Sequence, residues 1–131
     1  MKLRIATLCC ATLLGACAGA PTPESRVWIG TLEAMHLKPD VEVESIPNFR
    51  IDGFKVVDAM HVVLHTGARA SHVVTLRDPC NGLASAVRLG YTTSAGALTR
   101  FDRLFPVDRD RSEAPCLIAR IQTLAPAPIE R

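Results

Sequence analysis

The chain has almost no charge of one sign to spare. Its 15 Lys and Arg face 13 Asp and Glu, and setting Lys2 and Arg4 aside with the leader described below leaves thirteen of each. No electrostatic footprint for nucleic acid remains, so that class of partner is excluded. No apolar stretch is long enough to span a bilayer. There is no CxxC pair, HExxH helix or EF-hand loop, and with them go the familiar metal frameworks. There is no GxSxG elbow either, which removes the commonest hydrolase nucleophile. No internal repeat is visible, and 131 residues allow one domain.

What is present begins with an address. Lys2 and Arg4 precede an apolar run over residues 5–16, which as a helix covers roughly 18 Å against a hydrocarbon core of about 30 Å. It reads as the hydrophobic region of a signal peptide. The run ends in Leu14-Gly15-Ala16-Cys17, which resembles the lipobox of bacterial lipoproteins: an aliphatic residue, two small ones, then the cysteine that takes the lipid. The rival is ordinary cleavage after Ala18-Gly19-Ala20, but Pro21 follows and suits an extended protease substrate poorly. The expectation is therefore a signal over residues 1–16 and a mature chain tied to the bilayer through acylated Cys17. More than one acyl chain there gives stable anchoring. Ala18 after the cysteine, rather than the Asp that resembles an inner-membrane retention signal, points to the outer membrane, facing the periplasm.

Residues 17–26 then read as a lipidated tether kept extended by Pro21 and Pro23, and residues 125–131 as a flexible tail. The folding unit is residues 27–124, small enough to benefit from a covalent staple. Cys9 and Cys10 leave with the signal and Cys17 takes lipid, so Cys80 and Cys116 remain. In an oxidising compartment they are expected to form a disulfide, with a redox pair or metal site as the alternative. Closing that loop contributes roughly 4 kcal/mol by chain entropy.

Periodicity predicts strands. Phe54, Val56 and Val57 form one short run. Met60, Val62 and Leu64 alternate with His61, Val63 and His65. After a turn at residues 66–70 the chain returns as residues 72–77. Pairing 64 with 72, 62 with 74 and 60 with 76 puts Met60, Val62, Leu64, Val74 and Leu76 on one face. Asn81-Gly82 predicts a tight turn, followed by a strand with Val87, Leu89 and Tyr91 on one face. Ser94-Ala95-Gly96 turns again, and Phe101, Phe105 and Val107 are the expected core residues of the return strand. Residues 108–113 read as a polar loop and residues 116–121 as the last strand. Upstream, Ser25 is the expected cap of a short helix that places Trp28, Leu32 and Met35 on one face; Gly30 and the β-branched Val27, Ile29 and Thr31 work against the helix, and a strand is the competing reading. Pro39 and Pro47 bracket an acidic connector in which Val41 and Val43 alternate with Glu42 and Glu44, a candidate edge strand.

Candidate chemistry is sparse. Of the four histidines, His61 and His65 share a strand face but stand about 13 Å apart, and His36 has no partner in sequence. His65 and His72 across the hairpin are left as the candidate metal pair, with Asp58 or Asp78 as a further ligand. Glu42 with Glu44 and Asp108 with Asp110 read as solvated acids rather than a catalytic pair. In Arg100-Phe101-Asp102-Arg103 the bland reading packs Phe101 inward while Asp102 takes a local hydrogen bond or an arginine. The functional one uses Arg100, Asp102 and Arg103 to hold an anion.

Four pieces in order carry a resemblance: Ile46-Pro47-Asn48-Phe49; Val73-Val74-Thr75-Leu76 leading into Pro79-Cys80 and Leu83; Arg100-Phe101-Asp102; and Cys116-Leu117-Ile118-Ala119-Arg120-Ile121. Together they resemble a family of small exported bacterial proteins, many of them lipoproteins, known only as a domain of unknown function. The resemblance implies export and a two-cysteine β domain, and supplies no catalytic residue. A common member has Tyr where His72 stands.

The expected fold is mainly β, a small antiparallel barrel or sandwich of about five to seven strands with one disulfide and at most one short N-terminal helix. The expected function is a non-enzymatic accessory or binding module of the cell envelope that needs no cofactor. Its partners would be the lipid bilayer through Cys17 and an unidentified envelope protein or ligand. A small-molecule or metal-binding lipoprotein is the alternative, and a small envelope enzyme the third.

Overall fold

A computed structural model of the chain describes residue 19, residues 23–47 and residues 50–129; the expected signal, the lipobox with Cys17 and most of the tether lie outside the described residues. One helix, α1 (Pro23–Ala34), is followed by β1 (Leu37–Val43), β2 (Ser45–Pro47), β3 (Gly53–Val56), β4 (His61–His65), β5 (Ser71–Leu76), β6 (Arg88–Tyr91), β7 (Ala97–Thr99), β8 (Arg103–Asp108), β9 (Arg111–Ser112) and β10 (Cys116–Pro126). The protein is mainly β and antiparallel, as the alternation predicts, though with more and shorter strands.

The main sheet runs β3-β4-β5-β10-β8-β6. Its two ends do not pair, so it is not a barrel; β2 and β7 form a separate ribbon. The long β10 organises the sheet. One side pairs with β5, while the other pairs with β8 at Cys116 and Leu117 and with β1 from Ile121 to its end. Ala125 and Pro126, expected in a tail, are paired with Lys38 and Leu37, and the Ala127 amide donates to the His36 carbonyl at 2.8 Å. A tail reading fails there because β1 offers those residues a ladder.

Each face of the sheet carries its own core. Val62, Leu64, Val74, Leu76, Leu104, Ile118 and Ile121 pack with Ile46 and Leu98 of the ribbon and with Leu83. The opposite face sets Val63 and Val73 beneath Trp28 and Leu32 of α1. The central strands are therefore buried on both sides, which is why residues 62–64 and 73–74 are consecutive apolar residues. Ile118 and Ile121 are three apart, a spacing that an ordinary strand sends to opposite faces. An extra residue between Ile118 and Arg120 forms a bulge that returns both to one core.

The hairpin of β4 and β5 has the expected register, with Val62 opposite Val74 and Leu64 opposite His72. The helix is real and buries Trp28 and Leu32, with Met35 half-buried, but it starts at Pro23, so Ser25 stands inside its first turn rather than at its cap. Proline suits that first position, where no intrahelical bond is asked of its nitrogen. The acidic connector is strand: Pro39 and Pro47 lie within β1 and β2 instead of bracketing them. β1 is indeed an edge, bulged between Pro39 and Glu42. There the Thr123 hydroxyl accepts from the Val41 amide at 3.0 Å, replacing a ladder bond that the bulge breaks.

Three expectations near the C-terminal half change. Asn81-Gly82 does not join paired strands, since β5 and β6 are not neighbours. Short turns instead carry Leu83 into the core. Gly82 is required there: its φ is +78°, and a Cβ would lie 2.5 Å from the Glu113 Cγ. Residues 108–113 include β9, which folds back on β8 through a turn with Arg109 at φ 53°. Finally, the return strand is split. β7 ends at Thr99 and β8 starts at Arg103, so the alternation restarts after a turn and buries Leu104 and Pro106, leaving Phe105 and Val107 half-buried and Phe101 exposed. Val87 precedes β6 and is exposed as well. The Cys80–Cys116 disulfide closes the domain, tying the turn after β5 to the start of β10.

Candidate functional site

The turn between β7 and β8 is built around one carboxylate. Thr99 ends β7, and the Asp102 amide donates to the Thr99 carbonyl at 3.0 Å to close the turn. The Asp102 side chain then folds back inside. Its Oδ2 accepts from the Thr99 amide at 2.7 Å and the Thr99 hydroxyl at 2.8 Å. Its Oδ1 accepts from the hydroxyls of Thr92 at 2.8 Å and Ser94 at 3.1 Å. A second layer completes the knot: the Phe101 amide donates to the Thr99 Oγ1 at 3.2 Å and the Arg103 amide to the Thr92 Oγ1 at 3.0 Å. Asp102 is only 5% exposed. Burial raises its pKa and is the largest single influence; the bonds from Thr99 through its side chain and backbone, and from Thr92 and Ser94, together outweigh it and hold the carboxyl below the usual aspartate value. It is an anion satisfied by neutral donors and makes no ion pair with either neighbouring arginine.

With Asp102 turned inward, the turn shows solvent the Phe101 ring with the Arg100 guanidinium beside it. Phe101 is 72% exposed. The Arg100 Cζ stands 5.0 Å from its ring centroid, and the Arg100 Nε lies 3.3 Å from the Glu44 carboxylate, at the corner between β1 and β2. Arg103 is exposed at the head of β8. The inward-packed Phe101 of the bland reading is thus corrected, and so is the pairing of Asp102 with an arginine. The three residues proposed for an anion separate into two that face outward and one that supports them from within.

The histidines do not assemble. In the observed register His65 lies opposite Ser71 and His72 opposite Leu64, so the two imidazoles point to opposite faces of the sheet and cannot share an ion. The His65 Nδ1 contacts the Ser71 hydroxyl and the His72 Nδ1 the Thr66 hydroxyl, each at 3.1 Å. Burial pushes the His72 pKa below its ordinary value. Among the described residues no group of three or more His, Cys, Asp or Glu is placed to hold a metal. His36, with φ 59° at the end of α1, lines a cleft of about 410 Å³ with Glu33, Ala127, Pro128 and Ile129.

One arrangement has no counterpart in the sequence reading. The His61 Nδ1 is 2.8 Å from the Asp58 Oδ1, which also accepts from the Met60 amide at 2.8 Å. Trp28 of α1 stacks on the imidazole at 4.2 Å between centroids and 10° between planes. Thr75 faces His61 across the hairpin. Because the Leu76 amide bonds the Met60 carbonyl, the pair of His61 and Thr75 is the close, non-hydrogen-bonded kind. The Thr75 hydroxyl is buried with no hydrogen-bond partner. The spacing Asp58-x-x-His61 was the available signal, and Trp28 gave none without the fold.

With this geometry in place, comparison decides the family: the whole chain, residues 1–131, matches a family of unknown function, DUF6491. The chain belongs to that family. No curated protein and no solved structure matches this DUF6491 chain. Among its described residues, no helix is long and apolar enough to cross a membrane.

Proposed function

We propose that this DUF6491 protein is a non-enzymatic binding module of the bacterial cell envelope, tethered through acylated Cys17 at the periplasmic face of the outer membrane and docking its partner through the turn at residues 100–103. The observation that carries the reading is Phe101, 72% exposed on a turn that Asp102 pins from beneath. Leaving a large apolar ring in water works against stability, and rigid scaffolding of such a ring with arginine beside it is how interfaces present their energetic anchors. The Leu14-Gly15-Ala16-Cys17 lipobox supports the tether.

Two measurements test this. Intact mass of membrane-extracted protein should show an acylated Cys17 that the Cys17→Ala variant lacks; cleavage after Ala20 with no lipid would overturn the anchor. A photocrosslinking residue placed at position 101 in intact cells should give a discrete adduct that Arg103→Glu suppresses and that the same residue at exposed Val87 does not give. Equal labelling from positions 101 and 87 would overturn the docking role.

A further inference from the structure

We propose that the partner at the 100–103 turn is a second copy of this chain, an inference that rests on the docking reading above. Two complementary patches lie side by side on one molecule. The first is the exposed Phe101, with the Arg100 guanidinium beside its ring and the exposed Arg103 two residues on; the neighbouring Asp102 is buried and engaged in four hydrogen bonds and so lends no negative charge to the surface. The second belongs to β1 and the residue after it. There Val41, 57% exposed, stands between the exposed acids Asp40 and Glu42, with Glu44 two residues on. In sequence, one patch sets an exposed apolar residue among arginines and the other an exposed apolar residue among acids.

The molecule already contains a sample of this contact. Glu44 and Arg100 pair at 3.3 Å, with the Glu44 side chain still 77% exposed. That pair fixes the patches as neighbours, because Val41 is three residues from Glu44, about 10 Å along an extended strand. Adjacency determines the kind of assembly. Two complementary patches far apart on a surface generate open chains, whereas side by side they are brought together twice by one two-fold axis, so the contact closes as a dimer. In it, the acidic patch of each copy meets the Phe101 turn of the other. Among the described residues β1 pairs with no strand but β10, so its outer edge carries no ladder there. The patch is small against the interface of a stable dimer in solution, but tethering in one membrane raises the effective concentration of the copies, and weak pairs then associate.

The test uses the full chain in cells, with the photocrosslinking residue at position 101. The expected adduct has twice the chain's mass and joins position 101 of one copy to the 40–44 segment of the other. Arg103→Glu and Glu42→Arg, both at exposed positions, should each reduce it about tenfold by setting like charges face to face in both halves of the contact. Coexpressing the two variants with different tags should restore it. In the mixed pair, Glu at 103 of one copy meets Arg at 42 of the other, and the second half of the contact is unaltered. Failure of the mixed pair to recover overturns the proposal. So does an adduct of any other mass, which would leave the docking reading intact, whereas no adduct from position 101 overturns both.

Discussion

Two buried polar knots lie on opposite sides of the fold, and they differ in how completely they are bonded. At residues 92–103 one carboxylate takes four hydrogen bonds, and its donors in turn accept two backbone amides. Beneath α1 an imidazole is bonded to Asp58 and covered by Trp28, while the adjacent Thr75 hydroxyl has no partner. The first knot holds a surface in shape; the second seats a helix. A polar group buried with all its bonds made is nearly neutral in stability, but one left unmatched costs its full desolvation. Removing the Asp102 carboxylate and removing the Thr75 hydroxyl should therefore act with opposite sign.

Asp102→Ala should have the largest effect, about 3 kcal/mol or more in urea denaturation, because it leaves four donors without an acceptor. Asp102→Asn should cost less, about 1–2 kcal/mol. Its amide nitrogen can face the Thr92 and Ser94 hydroxyls, which rotate to accept, while its oxygen stays on the Thr99 amide. Equal losses for Ala and Asn would show that the charge rather than the bond pattern matters. Trp28→Ala should cost about 3 kcal/mol by opening a cavity under α1. Since Trp28 is the sole tryptophan, its fluorescence in the parent chain reports undocking of the helix directly. An undocking transition that precedes loss of the sheet would mark α1 as a separate unit, and a single transition would join the two knots.

The pH response sharpens the contrast in a different way. The pKa of His72 is lowered in the fold by burial, so as pH falls through the ordinary imidazole range the unfolded chain takes up the proton more readily, and stability declines. The Asp102 pKa is also lowered. Its contribution is present above the ordinary carboxylate value and is lost as pH falls through its depressed one. The melting temperature should thus drop in two stages on acidification, with His72→Gln removing the first and Asp102→Asn the second. The smallest change is expected at the unmatched hydroxyl. Thr75→Val keeps the shape and should be neutral or stabilising by up to about 1 kcal/mol; destabilisation would show that the hydroxyl is not unmatched.

The sequence is most legible where local pattern and tertiary role agree. The β4 and β5 hairpin keeps its register because a one-residue slip would turn both apolar sets away from their cores, and the expected bond between Cys80 and Cys116 is present. The candidate site was only half legible. Arg100, Asp102 and Arg103 are conspicuous, but Phe101, Phe105 and Val107 fit one alternating strand, and nothing local announces that Thr92 and Ser94, from before the preceding turn, will capture Asp102 and break it. The His65 and His72 pair failed for a similar reason: which face a strand residue takes depends on the register of its partner. At the end of the chain, Ala125-Pro126 reads as a frayed terminus until Leu37 is known to lie beside it.

The placement of β10 sets the order in which this protein can be assembled. It bonds to β5, β8 and β1, yet it is the last strand of the chain. A chain made from its N-terminus has the residues of α1 and of nine strands before those of the strand that joins them. Until residues 116–126 arrive, the hairpin of β4 and β5 lacks its central neighbour, Cys80 lacks Cys116, and β1 has nothing to pair with. Such long-range closure slows folding. Completion of the main sheet, of the disulfide and of the β1 edge therefore all wait for the same final segment.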